Sequence, residues 1–108
     1  MVGTLTGYLI ASQENSRELY RVGLESVRFL MAVGDLLIGW LLLHQAHIAS
    51  GALAQDQKGA TEADRDFYEG KIAAAVFFAT TVLPRLTADR HIVANTDVAL
   101  MDVREGAF

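Results

Sequence analysis

No cysteine occurs anywhere in the 108 residues. Its absence removes disulfide scaffolds, thiolate-bound zinc, cysteine-held iron–sulfur clusters and thiol nucleophiles together. It also fits a reducing compartment, so a cytoplasmic location is expected. Only one proline is present, Pro84, so the chain has a single position at which proline must break or kink a helix. Charge is sparse: 20% of residues are Asp, Glu, Lys or Arg, and the formal net charge is −4 at pH 7. That balance lacks the basic face of a nucleic-acid binder, and no nucleic-acid partner is expected. Phosphate loops of the G-x-G-x-x-G or G-x-x-x-x-G-K-[ST] kind are missing, and so is a G-x-S-x-G elbow. His44 and His47 stand at H-x-x-H spacing, but no E-x-x-H motif or third ligand accompanies them, and His91 stands alone. No catalytic, cofactor-binding or metal-ligating residue is therefore assigned.

What is abundant is apolar surface. Hydrophobic residues make up 52% of the chain, against about 45–50% in ordinary soluble domains. The excess has three explanations: a membrane segment, a partner interface, or a piece of something larger. The most apolar run, FLMAVGDLLIGWLLL over residues 29–43, contains Asp35 and is bounded by Arg28 and His44. At ~1.5 Å per residue it spans roughly 22 Å, short of a ~30 Å hydrocarbon core, and a central carboxylate is costly in lipid. A buried core helix is the better reading, and no transmembrane segment is expected. The N-terminus, MVGTLTGYLIASQ, lacks the basic region of a signal peptide.

Helical periodicity dominates and strand-like alternation is absent. A short helix is expected over residues 1–12. Asn15 then suits an N-cap, with Glu18 three residues on as in a capping box. A long helix runs from Ser16 to about Ala54. The polar stretch 55–60 (QDQKGA) reads as a linker. Thr61 opens a second long helix with acids in its first turns. Pro84 should kink or end it near Leu83, after which it resumes to about Ala94, helped by an Arg85–Asp89 pair at i,i+4. A short turn over 97–101 and an irregular tail complete the chain.

Asp35 needs a partner, because a carboxylate in an apolar run must be paired, hydrogen-bonded or exposed. Lys71, just before the apolar stretch 72–78, is the candidate for a buried ion pair with it. Trp40, among Leu and Ile, is expected in the core. Phe67, Tyr68, Phe77 and Phe78 form an aromatic group suited first to packing, with part left over for an interface.

Three segments carry a resemblance. FYEGKIAAAVFFATTVLPRLTA over residues 67–88 follows a pattern F-Y-x-x-K-x-x-x-A-x-F-F-x-x-x-x-L-P. FLMAVGDLLIGWLLLHQA over 29–46 holds Gly34, Gly39 and Trp40 in order. DVALMDVREGAF closes the chain with A-L-M, acidic residues and A-F. In this order and spacing they resemble the C-terminal α-helical extension of bacterial acyl-CoA dehydrogenases, over essentially the whole chain. Asp35 stands where that pattern has an apolar or small residue.

The resemblance implies a C-terminal piece, residues 1–108, of a larger flavoenzyme that oxidises acyl-CoA thioesters with FAD. It implies no cofactor in the piece itself. The implied partners are the dehydrogenase core of the same polypeptide or a neighbouring subunit, within a homo-oligomer. The expected fold is all-α, an antiparallel bundle of three main helices plus a short C-terminal helical turn. The expected function is structural: assembly, with a part in shaping the acyl-CoA entrance and no catalysis by the piece alone. The rival is a helical ligand-binding module for an acyl chain or part of CoA.

Overall fold

The computed structural model describes residues 1–55 and 60–108. They form four α-helices, α1 (Val2–Ala11), α2 (Glu18–Ala54), α3 (Glu62–Thr81) and α4 (Arg85–Asn95). Two 3-10 turns follow, at Ala99–Asp102 and Glu105–Ala107, and there is no strand among the described residues. The all-α class is as expected, and the tail is more regular than anticipated. Residues 56–59 of the expected linker lie outside the described residues.

The helix ends have local causes. Asn15 does precede α2, and its side-chain oxygen accepts from the Arg17 N–H at 3.2 Å. The reciprocal half of a capping box does not form there. The Asn15 N–H is already donated to Ala11 O at 3.0 Å in the last turn of α1, so Glu18 turns instead toward Arg21. The capping box appears at Thr61, whose hydroxyl accepts from the Asp64 N–H while the Asp64 carboxylate accepts from the Thr61 N–H. Pro84 ends α3 as anticipated. Without a proline N–H the ladder cannot continue, and the Val82 and Leu83 N–H groups both turn to Phe78 O. Arg85 N–H to Val82 O and Leu86 N–H to Leu83 O then start α4.

Contacts gather into two compact units, Met1–Ala32 with Thr87–Phe108, and Val33–Leu86. The terminal unit holds α1, the first part of α2, most of α4 and the two 3-10 turns. Leu5, Ala32 and Val93 are its buried apolar residues. The Tyr8 hydroxyl donates to Val93 O at 2.9 Å, with Ala94 O at 3.2 Å. Those carbonyls sit in the last turn of α4, where a helix has no N–H donors of its own to offer them. The second unit is an antiparallel helix hairpin. Asp35 on α2 meets Arg85, and a Cβ built on Gly39 would lie 3.0 Å from Leu83 Cδ2. Ala49 and Ala75 are its buried alanines.

The inward residues of α2 recur at steps of three and four: Glu25, Arg28, Ala32, Asp35, Gly39, Leu42, Ala46 and Ala49 are buried or half-buried. This is the seam spacing of packed helices. Its composition is unusual, since most of it is small or charged. The large apolar side chains of α2 lie off the seam. Among the described residues only five hydrophobic ones are buried, so the excess of apolar residues is not absorbed as core, contrary to the expectation for the run 29–43.

Candidate functional site

The phase of α2 decides what the molecule presents. Gly39 occupies the seam against Leu83, and one residue further on, ~100° around the helix, Trp40 turns outward and is 63% exposed. The core position expected for Trp40 is thus corrected: the seam position against Leu83 is held by the residue without a side chain. Leu36, Leu37, Ile38, Leu41 and Leu43 are exposed beside it. His44 stacks on Trp40 with ring centroids 5.9 Å apart and planes 14° apart. Gly34 needs explaining on this helix, since a Cβ there would meet nothing within 4 Å.

The aromatic group of α3 divides in the same way. Tyr68 and Phe78 are half-buried, whereas Phe67 and Phe77 face out, Phe77 at 66%. Phe67 and Tyr68 make an edge contact at 5.7 Å. The two long helical segments therefore carry apolar side chains on faces that no other described residue covers. By length and composition, Glu18–Ala54 and Glu62–Asn95 are each long and apolar enough to cross a membrane. The run 29–43 alone is too short for this, but the helix that holds it extends well beyond it on both sides.

The charged groups pair differently from the sequence-based expectation. Asp35 meets Arg85 Nη2 at 3.1 Å, not Lys71. The pair is not a buried one, since the Arg85 side chain is mostly exposed. Antiparallel pairing brings the end of α3 and the start of α4 beside Asp35 and carries Lys71 along α2 to the level of Ile48. The Lys71 ammonium lies instead 5.2 Å from the centroid of the Phe67 ring. Arg85 is therefore not paired with Asp89, which accepts from Arg28 Nη1 at 2.9 Å.

In the terminal unit a polar cluster went unforeseen. Glu25 is 7% exposed, and its carboxylate accepts from Thr96 Oγ1 at 2.6 Å and Arg28 Nε at 2.8 Å. The Asp89 and Glu25 carboxylates hold the Arg28 guanidinium's pKa above its ordinary value. Arg17 closes the tail on α2 by a two-oxygen contact with Asp102 at 2.7 Å. The only signal for Glu25 and Arg28 in the sequence was their place on the same three-and-four stepping as Gly39.

The hairpin unit holds a recess of about 250 Å³ lined by Gln45, Ile48, Ala49, Phe67, Tyr68 and Lys71. Among the described residues no three His, Asp or Glu side chains gather as a metal set. The arrangement presents exposed apolar faces on both long helical segments.

Comparison with known proteins fits such a surface. Residues 1–104 match the family model described as acetyl-CoA dehydrogenase C-terminal like. The chain is 53% identical over its full 108 residues to the broad-specificity linear acyl-CoA dehydrogenase of Mycobacterium tuberculosis, of which it covers 17%. It is 34% identical over 87 residues to a butyryl-CoA dehydrogenase of Syntrophomonas wolfei, covering 81% of this chain and 14% of that protein. It is 36% identical over 76 residues to the 3-methylmercaptopropionyl-CoA dehydrogenase of Ruegeria pomeroyi, 70% of this chain and 12% of that protein. The chain thus spans less than a fifth of the length of these relatives.

Proposed function

The chain belongs to the acetyl-CoA dehydrogenase C-terminal-like family, and from that premise we propose that residues 1–108 act as one non-catalytic docking domain of an acyl-CoA dehydrogenase. The observation that carries this reading is the inversion of α2. Its seam is lined mostly by Glu, Arg, Ala, Asp and Gly, with Leu42 as its large apolar member, while Leu37, Trp40 and Leu41 stand exposed. Contiguous apolar surface of this kind marks an interaction site. The cover is the dehydrogenase core of the same polypeptide or of a neighbouring subunit in a cytoplasmic homo-oligomer, rather than lipid. Docking there also shapes the acyl-CoA entrance.

FAD belongs to the reading of the whole enzyme, an oxidoreductase, and not to these residues. The N-terminus of α3 could face a pyrophosphate, but Thr61 and Asp64 already close it and Asp64 adds negative charge. No step through a flavin is derived from this chain.

The test is made in the full-length enzyme with Leu37→Glu and Leu41→Glu together. The expected result is a lower oligomeric mass by light scattering and a lower melting temperature, with the helix content of the 108-residue chain unchanged. Unchanged mass and melting temperature of the variant enzyme would overturn the docking role. A second reading, a helical module for an acyl chain or part of CoA, is favoured by one observation, the carbon-lined cleft in the hairpin.

A further inference from the structure

We infer that α2 carries a second seam on its outward side, which docks antiparallel against the same seam of a second copy of the chain; this deepens the docking reading and rests on it. From Tyr20 to Gly51 a stripe advances by three and four residues in strict alternation, through Leu30, Leu37, Leu41 and Ile48. That is the repeat of a helix packed lengthwise on another helix. The stripe covers roughly 47 Å at ~1.5 Å per residue, and its large apolar residues are exposed. The charged residues of α2, Glu18, Arg21, Glu25, Arg28 and Asp35, all fall on the inward stepping and are buried or half-buried. The stripe and the positions that flank it hold no charged residue, so two copies would not set like charges together.

The glycines choose the partner. Gly23, Gly34 and Gly51 all stand on the stripe, and a Cβ on any of them would meet nothing within 4 Å. Glycine weakens a helix interior relative to alanine, and no described residue uses the room it leaves. The antiparallel register that sets Leu30 against Leu41 of the second copy also sets Gly34 against Leu37, Gly23 against Ile48 and Gly51 against Tyr20. Each glycine then faces a large side chain, as Gly39 faces Leu83 within the chain. Two-fold symmetry makes every such pair twice. Val27 meets His44, the polar member of the stripe, which stacks on its own Trp40 at the flank. Parallel pairing in register would instead set glycine against glycine and leave gaps, which packed interiors avoid. Lipid gives no reason for small residues at fixed steps, whereas a partner helix does.

The chain has no cysteine, so introduced ones report alone. The 108-residue chain should sediment as a dimer in detergent-free buffer, with a micromolar or tighter Kd. Leu30→Cys and Leu41→Cys chains, one of them mass-tagged, should cross-link with each other on mild oxidation and neither with itself, because a disulfide needs Cα atoms within about 7 Å. Gly34→Leu has open space in the single chain. It should keep or raise the helix content yet weaken the dimer at least about tenfold, because it occupies the room of the opposing Leu37. A monomer, or an open series of larger species, overturns the pairing, and the unsubstituted chain suffices to show it. A dimer that Gly34→Leu leaves unchanged overturns it too, as does cross-linking of each cysteine variant with itself, the mark of parallel pairing. A monomer that floats with phosphatidylcholine vesicles assigns the face to lipid. A monomer that does not float, while the Leu37→Glu and Leu41→Glu full-length enzyme still loses mass, assigns it to the dehydrogenase core. That last outcome leaves the docking reading standing and removes only the second copy.

Discussion

The terminal unit and the hairpin unit solve the same packing task with different chemistry. In the terminal unit the contacts distant in sequence are largely polar: Glu25 with Thr96, Arg28 with Asp89, Arg17 with Asp102, Tyr8 with the end of α4. In the hairpin unit they are largely steric: Gly39 under Leu83, with Ala49 and Ala75 buried and one exposed ion pair at Asp35. Hydrogen-bonded pairs are directional, so they fix how far one helix slides along another. Small residues fix how closely two backbones approach and say little about sliding. Close approach also rotates the bulky neighbours of the small residues outward. The hairpin is therefore the part that exposes Trp40 and Phe77.

Substitutions can break or sharpen that contrast, each read by urea denaturation of the 108-residue chain followed by circular dichroism. Ala75→Leu should have the largest effect, about 2–3 kcal/mol of destabilisation, because Ala75 is 1% exposed and the added atoms have no room. An effect below about 0.5 kcal/mol would mean that the hairpin is not held by close approach. Glu25→Ala should cost about 1–2 kcal/mol, since it removes the acceptor that the Thr96 hydroxyl and Arg28 share and leaves them only Ile92 O and Asp89. If it cost less than Asp35→Asn, the polar character assigned to the terminal unit would be wrong.

Thr61→Ala should cost about 1 kcal/mol by removing the cap of α3. It should also change the acid limb of the stability curve. The Thr61 N–H and then the Thr61 hydroxyl, bonded to the Asp64 carboxylate, hold its pKa below the ordinary 3.8. A folded-state value below the unfolded one contributes stability that is complete above pH 3.8 and is lost as pH falls through the depressed value. The Thr61→Ala chain should show less of that loss, and an identical acid limb would count against the cap. Asp35→Asn should matter least, within about 0.5 kcal/mol, because its partner Arg85 is largely in water.

The fold was legible because its causes are local. Thr61 with Asp64, the missing N–H of Pro84 and the apolar stepping of residues 67–86 each act within a few residues, and the helices begin and end close to where those signals stand. The pairings were not legible in the same way. Asp35 and Arg85 are brought together by the antiparallel register of two helices, and nothing near either residue announces the other. Lys71 was a reasonable partner by sign and by neighbourhood in the sequence. It stands, however, at the level of Ile48 rather than of Asp35, more than three helical turns away along α2. Glu25 and Thr96 were hidden for the same reason.

The sequence by itself determined that the chain is all-helical, where its helices stop, that its apolar content exceeds what a small core uses, and which family its motifs resemble. Only the tertiary structure decided which side of α2 faces inward. Between residues 36 and 43 every position except Gly39 is apolar, so periodicity there has amplitude in no particular direction and cannot choose a face. The choice falls to backbone approach. Gly39 meets Leu83, in the turn between α3 and α4, and that contact turns the tryptophan and its leucine neighbours toward whatever covers them.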